Sequence, residues 1–302
     1  MAFIKVLLKS TIFIFITLVF SKASSEIDST FFDIILDIDG VLVYDADKWS
    51  LSAAAENNRL ERFISYDLET EQHYRKLEHV EVLLAYLSSL PNARISFFSN
   101  GHHDRNLIVL QNIVLSDGRT ALDLAKRSDR EDDDYRVFSR GDLEVINRKN
   151  RYKNLEKIDI EGLNLARTLI LDDNVTVPKE QYRSLLRVNA PNIKGNYKGF
   201  RSHNKYGSRL LVKDETWEEF HNPEHLKIWD TEVFRVIGLV DYGMRKAKNN
   251  QEKAIEVIQK LQSSETKAFP IADLDPKHYL AGKAIAESFL QPKTCINLLS
   301  QM

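Results

Sequence analysis

Short apolar runs punctuate the chain, and three of them break into polar residues at their C-terminal ends. FFDIIL (31–36) runs into Asp37, ARISFF (93–98) into Ser99-Asn100-Gly101, and ARTLIL (166–171) into Asp172-Asp173-Asn174. The runs mostly lack apolar/polar alternation, which suits strands covered on both faces, as in a parallel sheet. Helical spacing appears between and after them. The stretch 70–90 places Leu77, Val80, Leu84 and Leu87 on one face and stops at Pro91-Asn92, and further helical segments are expected over 231–247 and 250–262. Strands alternating with helices predict an α/β fold of three layers, Rossmann-like, with a central, mainly parallel sheet and right-handed crossovers. Ligands of such sheets bind beyond the carboxyl ends of the strands. Here all three ends are polar, so their convergence is a site hypothesis.

The N-terminus departs from this pattern. Lys5 and Lys9 precede an apolar run over 11–20, and the small residues Ser21 and Ala23 follow. That is the layout of a secretory signal peptide over 1–23, cleaved after Ala23, and the run is too short to span a bilayer. The expected product is exported, periplasmic or secreted, without a stable membrane span. The rest divides into a catalytic core over 30–245, carrying insertions, and a helical C-terminal extension over 246–302. Composition is that of a folded soluble protein: 302 residues, 43% hydrophobic and 28% charged, with a formal net charge of −2. Near-neutral charge gives no reason to expect nucleic acid as a partner. Cys295 is the lone cysteine, so the chain has no internal disulfide. The charge run 127–136 reads as a solvated loop, and the basic, glycine-containing stretch 190–209 as a solvated insertion able to grip a phosphate.

The chemistry sits in DIDGV (37–41). Side chains two apart on a strand share a face, so Asp37 and Asp39 emerge together. One carboxylate can attack phosphorus to form an aspartyl phosphate. The other can protonate the leaving oxygen and then activate water. Clustered negative charge calls for a cation, and Mg²⁺, a hard ion held by carboxylates, waters and phosphate oxygens, suits it. The expected ligands are Asp37, Asp39, Asp172 and Asp173.

DIDGV resembles the D-x-D-x-[T/V] signature of the haloacid dehalogenase superfamily, in which the first Asp is nucleophile and the second acid/base. FFSN (97–100) resembles its second motif and LILDDN (169–174) its metal-binding motif. The stretch from 137 to 174 is similar, more narrowly, to the small C-terminal-domain phosphatases and NLI-interacting-factor-like proteins. The resemblance implies that Ser99 and Asn100 bind the transferring phosphoryl group and that Lys153, in YKNL, contacts it. It also implies a phosphatase with a phosphorylated substrate, either a phosphoprotein or a small phosphoester. This chain departs from that branch in having Gly40-Val41 for Glu-Thr and Asp172-Asp173 for Asp-Asn. His102 and His103 sit where substrate contacts are expected, and the insertions offer a small cap. The alternatives are a metabolite phosphatase or phosphotransferase of the same superfamily, and a catalytically silent, partner-binding protein of the same fold.

Overall fold

The computed structural model describes residues 31–46, 63–67, 72–127, 134–146, 151–174, 177–188, 223–265 and 276–290. The signal-peptide segment, the basic stretch 190–209 and Cys295 lie outside them. In chain order the strands are β1 (Phe32–Leu36), β2 (Val43–Ala46), β3 (Phe63–Asp67), β4 (Gln72–Lys76), β5 (Ala93–Phe98), β6 (Val137–Phe138), β7 (Glu144–Val145), β8 (Arg151–Tyr152), β9 (Thr168–Asp172) and β10 (Leu185–Arg187). The α-helices are α1 (Val80–Ser88), α2 (His103–Gln111), α3 (Ala121–Leu124), α4 (Pro223–Lys246), α5 (Gln251–Glu265) and α6 (Pro276–Leu290).

The three apolar runs form the centre of a five-stranded parallel sheet in the order β10-β9-β1-β5-β6. Taken in chain order those five strands lie as 5-4-1-2-3. That is a doubly wound arrangement, with its switch point between β1 and β9. Side chains alternate across the sheet. Ile34, Leu36, Phe97, Leu169 and Leu171 join the larger apolar cluster, whereas Ile35, Phe98, Ile170 and Leu185 join a smaller one on the other face. The larger cluster is covered by helices. The smaller is covered by Leu143, Leu155, Ile158, Ile160 and Val177, from turns and 3-10 segments. Both faces being buried explains why these strands read as largely apolar runs with little alternation.

The C-terminal helices belong to this core. Val233, Ile237 and Val240 of α4, Ala254 and Ile258 of α5 and Ala286 of α6 all enter the larger cluster. Helix α6 crosses α4 at very close range, since a Cβ on Gly282 would lie 1.7 Å from the Phe234 carbonyl oxygen. No described helix is long and apolar enough to cross a membrane.

Two expectations are corrected. The helix read over 70–90 is confined to Val80–Ser88, and Gln72–Lys76 is a strand. Strand β4 is the middle member of a small antiparallel sheet in the order β2-β4-β3, the compact insertion after β1. Its ladder with β2 and β3 outweighs the helical spacing. His79, in left-handed conformation at φ 60°, separates it from α1. The charge run 127–136 is likewise not solvated at its ends: Arg127 is buried, and Arg136 donates to the carbonyls of Ile95 and Leu124.

Candidate active site

Strand β1 ends at the switch point, and its last backbone pairing carries on one residue, from Asp37 N–H to the Leu171 carbonyl at 2.8 Å. Gly40 follows with φ 83°, the left-handed conformation that favours glycine, and its N–H bonds the Val43 carbonyl at 2.7 Å. The chain therefore turns immediately after the two aspartates. Asp37 Oδ1 accepts from the Ile38 N–H at 2.7 Å, which leaves Oδ2 for the cleft.

Lys153 enters from the segment after β8. Its ammonium lies 2.8 Å from Asp37 Oδ2 and 2.8 Å from Asp172 Oδ2, and its side chain is only 3% exposed. Its neighbours fix that segment. Gln181 donates to Asn154 Oδ1 and accepts from Leu155 N–H, while Asn154 caps the 3-10 turn Leu155–Lys157. Asp172, at the end of β9, also accepts from Asn174 N–H at 2.7 Å, and Asp173 accepts from the Asn174 amide at 2.6 Å. Carboxylate oxygens of Asp37, Asp172 and Asp173 all lie within 4.8 Å of one another. Desolvation raises the Asp37 carboxyl; Lys153 opposes this, Asp172 adds to it, and the group is pushed up to about 8. Burial works against the Lys153 cation, yet Asp37 and Asp172 outweigh it and hold the ammonium above its usual value.

Asp39 lies apart from this acidic cluster. Its carboxylate accepts from Ser99 Oγ at 2.8 Å and pairs with the forked guanidinium of Arg105, and its side chain is 45% exposed. Arg105, from the first turn of α2, lies over the Tyr74 ring at 4.2 Å and donates to Asn106 Oδ1 at 3.0 Å. Burial disfavours its charge, but Asp39 and Tyr74 overcome this and raise it above the ordinary value. Ser99, fully buried at the end of β5, accepts from Gly101 N–H at 3.0 Å.

The fold thus brings Asp37, Lys153, Asp172 and Asp173 together and sets Asp39 and Ser99 in contact beside them. Asn100 is exposed and accepts from Arg140 Nε at 3.4 Å. The Asp39 carboxylate is not among the groups able to share one ion with Asp172 and Asp173. Sequence reading missed Arg105, the cation that pairs with Asp39 across 66 residues of chain. Its only signal was a charge count, since two acids at one strand end require balancing cations. Gln181, which anchors the Lys153 segment, carried no signal.

The donor set fits a hard cation. Three carboxylates cluster together, two of them paired with one ammonium, and oxygen ligands of this kind suit Mg²⁺. No family model and no curated protein matches the chain. Solved structures do resemble it. That of Fcp1, an essential RNA polymerase II CTD phosphatase, is 13% identical with a TM-score of 0.38, covering 86% of this chain and 61% of its own. The fission yeast RNA polymerase II CTD phosphatase Fcp1 bound to beryllium fluoride is 13% identical with a TM-score of 0.39, covering 82% of this chain and 70% of its own. The chain spans about three-fifths of the length of the first of these structures.

Proposed function

We propose that this chain is a Mg²⁺-dependent phosphomonoester hydrolase working through an aspartyl phosphate on Asp37, with a phosphorylated protein as substrate. The observation that carries this reading is the buried Lys153 ammonium, 2.8 Å from both Asp37 and Asp172, with Asp39 held separately by Ser99 and Arg105. A structural ion pair has no use for a second, independently oriented and half-exposed carboxylate two residues from the first. A two-step phosphoryl transfer needs one.

Asp37, Asp172 and Asp173 would hold the ion. When bound it would neutralise phosphate oxygens that otherwise repel the nucleophile. Asp37 attacks phosphorus, the bond from phosphorus to the leaving oxygen breaks, and Asp39 delivers a proton to that oxygen. Lys153 places a positive charge against the phosphoryl oxygens in this step. In the second step Asp39 takes a proton from water, water oxygen attacks phosphorus, and the Asp37–phosphorus bond breaks to release inorganic phosphate. Arg105 and Ser99 keep the Asp39 carboxylate aimed throughout.

Turnover of p-nitrophenyl phosphate in Mg²⁺ tests this. Asp37→Asn should lower kcat by about 1,000-fold or more, as loss of a nucleophile does. Removing the metal with a chelator should have a comparable effect that added Mg²⁺ reverses. A folded, Mg²⁺-supplied wild-type protein with no turnover would instead support the silent, partner-binding reading.

A further inference from the structure

The guanidinium of Arg105 meets Asp39 with both of its terminal nitrogens. Nη1 carries two protons. One goes to Asp39 Oδ2 at 3.2 Å and the other to Asn106 Oδ1 at 3.0 Å. Asn106 is the next residue of α2, and it is wholly enclosed, at 0% exposure. Its amide is fixed at both ends. A guanidinium only donates, so the amide oxygen is the end that faces Arg105. The amide nitrogen then donates to Ser139 Oγ at 3.1 Å, across 33 residues of chain, on the loop after β6. Ser139 is itself buried, and its N–H donates to Asp142 Oδ2 at 2.7 Å in the capping box of the turn Arg140–Asp142. Arg140 N–H ties the same loop to the Gly101 carbonyl at 3.0 Å.

Gly101 completes the enclosure. A Cβ there would lie 2.5 Å from Asn106 Oδ1, 3.2 Å from Arg105 Nη1 and 3.3 Å from Ser99 Oγ. Through those three atoms Asn106 holds Arg105, and Arg105 and Ser99 hold Asp39. The first distance is too short for any side chain, and Asn106 cannot swing aside without giving up Ser139 or Arg105. What glycine supplies at this position is room for a close approach. Joining α2 to the loop after β6 would require only the Ser139 bond. The bond to Arg105 gives the amide a second task, because it sets the rotation of the same nitrogen that reaches Asp39. Resting on the hydrolase reading above, we propose that Asn106 is a positioning residue for the proton-transfer steps. Seated in the space that Gly101 leaves and anchored by Ser139, it holds Arg105 in the orientation that keeps the Asp39 carboxylate aimed. Its effect on turnover runs through Arg105 alone.

A double-mutant cycle tests this, with kcat for p-nitrophenyl phosphate in Mg²⁺ as the readout. In the wild-type background Asn106→Leu should lower kcat by about tenfold, part of the roughly 100-fold or more that a positioned acid/base supplies, with little change in KM. Gly101→Ala should do the same by crowding the amide. Ser139→Ala deletes only one hydroxyl and should cost about threefold, the effect of a single hydrogen bond. It serves as the readout if the larger changes prevent folding, which melting curves check. In an Arg105→Met background each of the three changes should cost less than about twofold, the margin within which independent effects add. General damage to the fold would instead multiply with Arg105→Met. Losses that persist in full in that background overturn the inference. So does wild-type kcat in the folded Asn106, Gly101 and Ser139 variants, or in Arg105→Met itself. Each of these results leaves the hydrolase reading standing. A wild-type protein that turns over no substrate defeats that reading, and the role of Asn106 falls with it.

Discussion

Asp39 and Arg105 show how a single pairing separates two carboxylates of the same motif into different tasks. Asp37 is buried against Lys153 and Asp172, whereas Asp39 is half exposed and held by a forked guanidinium. A fork fixes the plane of a carboxylate, which a lysine at the same place would not. The stacking of Arg105 on Tyr74 in turn fixes the guanidinium, so the small antiparallel sheet contributes to the site through one ring. Arg105→Met should therefore lower kcat for p-nitrophenyl phosphate by about 100-fold, the lower end of what a positioned acid/base contributes, with a much smaller change in KM. Arg105→Lys should recover only part of the loss. A steady-state comparison of the three proteins checks both statements. Full activity in Arg105→Met would show that Asp39 needs no help from α2.

Within the sheet, the element that sets the geometry is the β1–β5 pair. Asp33 of β1 stands opposite Arg94 of β5 in the ladder, and the guanidinium grips both carboxylate oxygens at 2.6 and 2.9 Å. Burial raises the Asp33 carboxyl even though Arg94 and Arg136 pull it down, so the aspartate depends on its partner. Arg94→Met should destabilise the fold by about 3–5 kcal/mol, the effect of stranding a buried charge. The double variant Asp33→Leu/Arg94→Met should regain most of that in urea unfolding. The strands themselves were legible because burial on both faces writes a largely apolar run with little alternation, and their carboxyl ends because polar residues, carboxylates on β1 and β9 and a serine on β5, stop such a run. Strand β4 was not legible. QHYRK has no apolar run, and although β3 lies just before it in the chain, its other partner, β2, lies on a segment distant in sequence. Lys153 was one of several nearby cations in the sequence; what singles it out is burial through Gln181 and Asn154, a long-range hydrogen-bond network that no local pattern encodes. The packing of α4–α6 into the main cluster was hidden for the same reason, since an amphipathic helix shows that it has an apolar face but not what covers it.

At the scale of the whole molecule, the acidic cluster ties stability to pH and to the cation together. The Asp37 carboxyl, about 8 in the folded chain against 3.8 as its ordinary value, holds a proton through a range where the unfolded chain has lost it. Folding without metal therefore takes up a proton between those values. Where the folded state binds more protons, stability falls as pH rises, so this contribution is complete below about pH 4 and is lost as pH climbs through about 8. A divalent ion reverses the sign of the problem, because it binds the ionised carboxylates of Asp37, Asp172 and Asp173 and must displace that proton at lower pH. Binding to the folded state alone raises the melting temperature in proportion to how tightly the ion is held. Saturating curves of Tm against Mg²⁺ should thus show a clearly larger gain at pH 8.5 than at pH 5.5, and Asp172→Asn should weaken the half-saturating concentration at both. The metal-free protein should itself melt lower at pH 8.5 than at pH 5.5, and Asp37→Asn, which cannot ionise, should lose much of that difference. Equal Mg²⁺ gains at the two pH values would remove the Asp37 carboxyl from the ion's surroundings and leave Asp172 and Asp173 to hold it alone.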